Sequence, residues 1–108
     1  LIAESLRQML KWLLFLLNMQ IKWTKRASQN FEAILAHIAA DNSGASRQFM
    51  LDTLQQIANL KNFPLLGRPG VVPLTRELVI HENYIVYYRI KKEIIEILRV
   101  LHVRRKYP

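Results

Sequence analysis

The sequence predicts an α+β fold in which two helices cover one face of a mostly antiparallel sheet. The last third of the chain contains three segments rich in alternating apolar residues, separated by two short turns, which is typical of a β-meander. The middle of the chain has two segments with apolar residues at helical spacing, and a short alternating segment, 20–23, precedes them. Because the chain has 108 residues and 51% of them are apolar, we expect one domain with a single core.

Residues 1–18 are predicted to form an extra amphipathic helix outside the main domain, which is expected to span residues 19–108. The apolar stripe at helical spacing consists of Ile2, Leu6, Met9, Leu10, Leu13, Leu14 and Leu17. Its longest apolar run is far shorter than the roughly 18 to 20 residues of a membrane span. Glu4 ahead of that run argues against a signal peptide. The helix is expected either to pack on the domain or to bind a partner, including a second copy of the chain.

The two central helices are predicted to form an antiparallel hairpin. Thr24 suits the N-cap of a helix that runs to about Asp41. The turn-forming stretch DNSG separates it from a second helix, which runs from about Ala45 to Asn62. Residues 65–73 are predicted to be a Gly/Pro loop, and the sequence GxxxxGK[ST] of a phosphate-binding loop is absent.

The predicted meander has strands at about 74–81, 84–90 and 94–103. The last of these is apolar on both faces, which is usual for a central strand, so the strand at 20–23 is expected to pair beside it or near it. If the last strand stays regular to its end, Glu96, His102 and Arg104 share one face.

Positive charge is concentrated in the second half of the chain. The net charge is +8, and the residues from position 61 onward include ten basic and four acidic side chains. This asymmetry indicates an acidic partner, either nucleic acid, an anionic membrane or an acidic protein. Part of the charge is expected in cross-strand ion pairs, in which Arg89 and Arg99 meet Glu77 and Glu96. The absence of cysteine suits a cytoplasmic protein.

The basic end of the sheet is the candidate site. The residues expected to contact a target are Arg68, Arg76, Arg89, His102, Arg104, Arg105, Lys106 and Tyr107. Arg and Lys can bind phosphates, Tyr can stack on a base, and His can transfer a proton near neutral pH. A binding surface and a metal-free nuclease site built from Arg76, His102, Arg104, Arg105 and Tyr107 therefore both remain open. No metal-ligand spacing or serine elbow is present, and no cofactor is expected.

His37 is predicted to be an ordinary surface residue.

Four short motifs follow one another along the chain, GR at 67–68, REL at 76–78, YIVYY at 84–88 and LRVLH at 98–102. In the order of its elements and of these motifs the chain resembles the RelE/ParE family of bacterial type II toxin–antitoxin toxins. The resemblance covers about residues 19–108 and leaves residues 1–18 outside. It implies a strand, a helical hairpin and a three-stranded meander that complete one sheet.

The two branches of the family imply different targets. The RelE-like branch implies a ribosome-dependent mRNA endonuclease without a metal, and the ParE-like branch implies a toxin that inhibits DNA gyrase by binding. RelE-like toxins typically have an arginine directly after the aromatic residue that opens a strand of the meander, and here Ile85 follows Tyr84. Two alternating basic positions on the preceding strand correspond to Arg76 and Leu78, so one basic group is missing.

Loss of a group that stabilises charge on the phosphate commonly costs about 100-fold or more in rate. The sequence therefore favours the ParE-like reading. The RelE-like alternative requires a rearranged site made from His102, Arg104 and Tyr107, and an inactive binding module is a third possibility because a fold does not fix a function.

The resemblance also implies a cognate antitoxin, which is often acidic in the part that wraps over the apolar grooves of the toxin. The charge of +8 fits such a partner. This adds a further possibility for residues 1–18, whose apolar stripe could occupy a groove that the antitoxin would otherwise fill.

Overall fold

The sheet has five strands and carries both helices on one face. The computed structural model describes residues 5–11 and 19–105. The main-domain elements are β1 (Gln20–Trp23), α1 (Lys25–Asp41), α2 (Ser43–Ala58), a 3₁₀ turn (Asn59–Lys61), β2 (Arg68–Pro69), β3 (Thr75–His81), β4 (Tyr84–Lys91) and β5 (Ile94–His102). The strand order is β1-β5-β4-β3-β2, in which β1 is parallel to β5 and the other neighbours are antiparallel. The α+β prediction and the internal place of β5 beside β1 are confirmed.

The N-terminal segment is described only in part. Residues 5–11 are helical, and all seven are exposed. The rest of the predicted helix over residues 1–18, and with it most of the stripe, lies outside the described residues. Within the described part of the chain, no helix is long and apolar enough to cross a membrane.

The loop predicted at residues 65–73 contains one short strand. In β2, Arg68 pairs with Glu77 and Pro69 with Arg76, which adds a strand at the outer edge of β3. Gly67 permits this close approach because a Cβ atom at that position would lie 2.7 Å from the Tyr88 ring. The prediction of a plain loop was wrong for these two residues.

The helical hairpin turns at a single residue, Asn42. Thr24 caps α1 as predicted, because its hydroxyl accepts the backbone N–H of Ala27. Asn42 is both the C-cap of α1 and the N-cap of α2, and its Oδ1 accepts from Ala45 N at 2.9 Å. The predicted four-residue break is therefore shorter than expected, since Ser43 already lies in α2.

Replacing Asn42 with Ala should lower the free energy of unfolding by about 1 kcal/mol, because the first turn of α2 loses its side-chain acceptor. Urea unfolding followed by circular dichroism measures the change. The matched control is Ser43→Ala, at an exposed position beside the cap, and it should leave the midpoint nearly unchanged. Equal effects of the two substitutions would contradict the capping role.

The main core lies between the helices and the sheet. Its fully enclosed members include Ile57 and Leu60 from the hairpin and Val86, Tyr88, Ile95 and Ile97 from β4 and β5. A second, smaller cluster consists of Ile85, Tyr87, Leu98 and Leu101. These residues lie on the other face of the sheet, because their β4 neighbours Val86 and Tyr88 belong to the main core.

A β-bulge interrupts β5 at Leu98. Tyr88 pairs with Ile97 and Tyr87 with Arg99, so Leu98 has no partner on β4. Thr24 accommodates the irregularity, since its hydroxyl donates to the carbonyl oxygen of Leu98 at 3.1 Å.

The bulge changes which residues of β5 face the helices. Ile97 packs in the main core before it and Val100 after it, which is a spacing of three instead of two. Glu96 consequently lies on the face away from the helices, whereas His102, two residues after Val100, lies on the helix side. The prediction that Glu96 and His102 share a face was wrong, because it assumed a regular strand.

Candidate functional site

Two of the predicted target-binding arginines are held in ion pairs. Arg68 contacts Glu77 at 3.0 Å, and Arg89 contacts Glu96 at 2.6 Å. Arg89 and Arg99 were predicted to meet Glu77 and Glu96, and the partners differ from that prediction. Arg89 pairs with Glu96, Glu77 pairs with Arg68, and Arg99 donates to Asn30 Oδ1 at 2.8 Å. Both pairs are partly exposed, so each contributes little to stability and the side chains remain accessible.

Arg76 is a structural residue in its observed position. Its Nη1 donates to the carbonyl oxygen of Gly67 at 2.7 Å and to that of Leu65 at 3.5 Å. Tyr88 fixes the same loop, because its hydroxyl donates to the carbonyl oxygen of Pro64 at 2.7 Å and accepts from Gly67 N at 2.9 Å. Burial raises the pKa of Tyr88, and the Gly67 N–H and the Arg76 charge oppose that rise.

His102, Arg104 and Arg105 form a turn after β5. His102 Nδ1 accepts from Arg104 N at 3.1 Å, and the carbonyl oxygen of His102 accepts from Arg105 N at 2.9 Å. Both arginines are exposed, and neither guanidinium group forms an ion pair with another residue that the structure describes. Lys106 and Tyr107 lie outside the described residues, so their place at the site stays a prediction.

The predicted basic residues do not converge on one point. Arg76 pairs with Tyr88 and His102 with Tyr84, so their partners are four positions apart along β4. At roughly 3.3 Å per residue that distance is about 13 Å. Arg76 therefore lies at the loop end of the sheet, and His102, Arg104 and Arg105 lie at the opposite end.

A groove beside His102 contains polar residues that sequence analysis missed. It has a volume of about 400 Å³ and lies between α1 and the ends of β4 and β5. His37 and Asn30 from α1, Tyr84 from β4, and His102 and Arg105 line it. His37 was predicted to be an ordinary surface residue. The sequence places His37 about two turns after Asn30, on the same side of the helix. That spacing indicates a shared site only once the position of α1 against β5 is known.

The three histidines of the chain lie at this end of the molecule. The Tyr84 ring is 5.3 Å from the His102 ring and 6.5 Å from the His81 ring. Phe49 from α2 packs edge-on against Tyr84 at 5.1 Å. Among residues 5–11 and 19–105, no group of three or more His, Asp or Glu side chains has the arrangement of a metal site.

Ile85 directly follows Tyr84, where the resemblance implies an arginine in a RelE-like toxin. Its side chain is only 6% exposed and packs in the second cluster with Tyr87 and Leu101. Burial raises the pKa of Tyr87, and the charge of Glu77 adds to the rise while Arg68 opposes it. The surroundings of Ile85 on this face are therefore apolar, and the ion pairs Arg68–Glu77 and Arg89–Glu96 lie elsewhere on the same face.

Comparison with known proteins agrees with this architecture. A family model of the ParE toxin of the type II toxin–antitoxin system parDE matches residues 21–107. Among curated relatives, Y4kP of Sinorhizobium fredii is 36% identical over 90 residues, covering 82% of this chain and 93% of that protein. Toxin RelE2 of Caulobacter vibrioides is 29% identical over 86 residues, covering 80% and 97%.

Solved structures show the same relationship. A structure of the chromosomal ParDE toxin–antitoxin system from P. aeruginosa matches with a TM-score of 0.72 and 28% identity, covering 79% of this chain and 96% of that one. The E. coli DinJ-YafQ toxin–antitoxin complex matches with a TM-score of 0.58 and 13% identity over 84% of this chain and 99% of the other, which is a likeness of fold. The chain belongs to the ParE toxin family of type II toxin–antitoxin systems, within the wider RelE/ParE group.

Proposed function

We propose that this protein is a ParE-like toxin that arrests growth by binding and inhibiting DNA gyrase and that a cognate antitoxin neutralises it. The observation that carries the gyrase proposal is the buried Ile85, where a phosphate-clamping arginine would be expected in a nuclease. The antitoxin proposal is supported by the matched structures, which come from a ParDE system and a DinJ-YafQ complex.

The state of His102 also favours binding over catalysis. Its Nδ1 accepts a hydrogen bond from Arg104 N, so the neutral ring carries its proton on Nε2. In this tautomer neither nitrogen offers a free lone pair to remove a proton from a ribose hydroxyl. Arg76, the basic residue kept from the nuclease pattern, is bound to the loop carbonyls.

The basic turn after β5 is the proposed centre of the gyrase-binding surface. Arg104 and Arg105 are exposed and not neutralised by ion pairs among the described residues, and Lys106 and Tyr107 follow them in the sequence. Arg68 and Arg89 can add contacts from the open face, because their side chains are 62% and 43% exposed. Such a surface suits an acidic patch on a protein target.

A ribosome-dependent mRNA endonuclease is the second candidate. The groove beside β5 favours it, because His37, His102, Arg105 and Tyr84 are residue types found in metal-free nuclease sites and lie together there. Catalysis would require His102 to give up its bond from Arg104 N. One pair of assays separates the candidates, namely gyrase supercoiling and mRNA cleavage, each with the chain purified free of antitoxin.

We expect the chain to inhibit supercoiling and to leave mRNA intact. The double substitution Arg104→Ala, Arg105→Ala should raise the concentration for half-inhibition about tenfold, since each exposed charge at an interface contributes up to about 1 kcal/mol.

The matched control removes two positive charges elsewhere, with Lys61→Ala and Lys91→Ala. Both residues are exposed; Lys91 lies at the end of β4 away from His102, and Lys61 ends the 3₁₀ turn after α2. The control should inhibit gyrase normally. Normal supercoiling together with new mRNA breaks would overturn the gyrase proposal in favour of the nuclease.

A further inference from the structure

The loop between β2 and β3 carries two aliphatic side chains that are almost completely exposed. Val71 is 90% exposed and Leu74 is 91% exposed, which are the highest values among the large apolar residues that the structure describes. Single apolar residues scattered over a surface are ordinary, whereas two at the end of one hairpin stand out from the fold together. Residues 71–74 are called the hairpin tip below.

Hydrogen bonds at the base of the hairpin tip fix its backbone. Thr75 donates twice to the carbonyl oxygen of Val72, from its N–H at 3.2 Å and from its hydroxyl at 2.6 Å. Gly70 N donates to the carbonyl oxygen of Thr75 at 2.8 Å and closes the hairpin. The two aliphatic side chains are therefore held in place before any partner binds, which lowers the entropy cost of binding.

Leu74 has a left-handed backbone conformation that its residue type disfavours. Its φ is 66°, and it follows Pro73 in the turn that the bond from Thr75 N to the carbonyl oxygen of Val72 closes. Proline at the second position and a positive φ at the third are features of a type II turn, whose third position is usually Gly or Asn. A leucine there is strained, because its Cβ atom lies too close to the following carbonyl oxygen.

The strain at Leu74 has no compensation inside the fold. The side chain buries almost none of its surface, so it adds no core packing that would offset the unfavourable backbone. Gly or Asn at position 74 would satisfy the turn without this strain. Backbone strain that the fold does not need is typical of functional sites. The exposed aliphatic group of Leu74 therefore points to an interaction with another molecule.

Two partly exposed arginines border the hairpin tip. Arg68 lies two residues before Gly70, in β2, and Arg89 pairs with Thr75 across β3 and β4. Their side chains are 62% and 43% exposed. A guanidinium group has five N–H donors, so each arginine keeps donors to offer beyond its bond to a glutamate. Because protein interfaces have an apolar centre, a polar rim and an excess of arginine, the hairpin tip fits an apolar pocket of a protein with acceptors at its rim.

Three other occupants fit the hairpin tip less well. Two copies placed tip to tip would bury little more than four side chains, far below the roughly 1,000 Å² of a stable interface. Anionic membranes attract clusters of unpaired basic residues and favour Trp and Tyr at their surface, whereas both bordering arginines have glutamate partners and residues 71–74 include no aromatic residue. A nucleic acid would find no hydrogen-bonding side chain at Val71 or Leu74.

We propose that the hairpin tip docks on the target protein of the toxin, where Val71 and Leu74 insert into an apolar pocket. The identification of that protein as gyrase rests on the proposed function, whereas the contact itself does not. Thr75 pairs with Arg89 and His102 with Tyr84, so their partners are five positions apart along β4, a distance of about 17 Å. A partner that buries roughly 800 Å² of this protein is wide enough to reach both the hairpin tip and the basic turn after β5.

The test separates the side chain of Leu74 from the conformation of its backbone. Leu74→Asn supplies a residue that the turn favours and removes the aliphatic group. We expect its urea midpoint to equal or exceed that of the wild type. The concentration for half-inhibition of gyrase supercoiling should rise about tenfold or more, as for loss of one buried leucine. Leu74→Met keeps an apolar side chain and should inhibit within about twofold of the wild type.

A second tip variant and a matched control make the test specific to the hairpin tip. Val71→Thr replaces a methyl group with a hydroxyl at constant shape and should weaken inhibition about fourfold. Leu51→Asn makes the same change as Leu74→Asn at a residue of α2 that is 48% exposed and lies on the helix side of the sheet. It should inhibit gyrase like the wild type. Equal effects of the two Asn variants, or normal inhibition by Leu74→Asn, would overturn the proposal.

Measurements of mass, vesicle binding and growth arrest identify the occupant. A wild-type dimer that Leu74→Asn converts to a monomer would assign the hairpin tip to self-association, and phosphatidylglycerol vesicles that bind the wild type but not this variant would assign it to a membrane. Either result would overturn the proposal. If the wild type leaves gyrase active but arrests growth more strongly than Leu74→Asn, the gyrase proposal falls and the contact with a target stands. If both chains inhibit gyrase equally, the contact falls and the gyrase proposal stands.

Discussion

Replacing Ile85 with Arg should lower the free energy of unfolding by about 3–5 kcal/mol and should not produce mRNA cleavage. The side chain is 6% exposed in the second cluster, so a guanidinium group there would be a buried charge without a partner. The resemblance implies an arginine at this position in a RelE-like toxin, and the substitution therefore tests whether that residue alone separates the branches. Urea unfolding gives the stability, and cleavage of a reporter mRNA on ribosomes gives the activity.

Val79 supplies the control for this substitution. It pairs directly with Ile85 across β3 and β4, but its side chain is 50% exposed. Val79→Arg adds the same charge one strand away and should change stability by no more than about 0.5 kcal/mol. A similar loss in both variants would show that charge on this face, and not burial at position 85, destabilises the fold. An Ile85→Arg variant that is stable and cleaves mRNA would contradict the ParE-like assignment of the face.

Tyr88→Phe should lower the free energy of unfolding by about 2–3 kcal/mol, because it leaves two loop groups without their partner. The Tyr88 ring is fully buried, and its hydroxyl bonds both the Pro64 carbonyl oxygen and Gly67 N. The substitution keeps the ring and removes only the bonds that hold residues 64–67 against the sheet. Tyr84→Phe is the matched control, since it removes the same atom from a partly exposed residue of the same strand, and it should cost less.

Tyr88→Phe should also make the free energy of unfolding depend less on pH in the alkaline range. Burial raises the pKa values of Tyr87 and Tyr88, so both hydroxyls hold their protons more tightly in the folded state than in the unfolded state. Their contribution is fully present below the unfolded pKa of about 10 and is lost as the pH rises above it towards the folded values. Tyr88→Phe removes one of the two groups, and urea midpoints measured between pH 9 and 11 should therefore fall less steeply than in the wild type.

The layered fold could be predicted because its signals are local. Thr24 and the DNSG stretch mark where α1 begins and where the hairpin turns, and the two-sided apolar pattern of β5 places it inside the sheet. The two-residue strand β2 could not be predicted, because it depends on the close approach of Gly67 to Tyr88, 21 positions later in the chain. No periodic pattern is readable in a strand of that length.

The candidate site was less predictable than the fold. Residue type identified His102 and Arg105 as site residues. Arg76, which was predicted to belong to the same site, lies at the opposite end of the sheet. Conversely, Asn30 and His37 join the groove only because α1 runs along the part of β5 that extends beyond its pairing with β1. There Asn30 Oδ1 accepts from Val100 N. A contact over 70 positions has no signature in a single sequence.

The extra residue at Leu98 divides β5 into two halves, and the odd-numbered side chains of one half face the opposite side of the sheet from those of the other. Odd positions face the helices in 94–97, and even positions face them in 100–102. A one-residue insertion or deletion between 99 and 102 would turn the later side chains of β5 to the other face and would exchange residues of the groove with residues of the second cluster. A substitution leaves each position on its own face. When this strand is compared with a relative, the extra residue at Leu98 has to be placed first. An alignment based only on Ile95 and Ile97, extended as a regular strand, would assign His102 to the wrong face of the sheet.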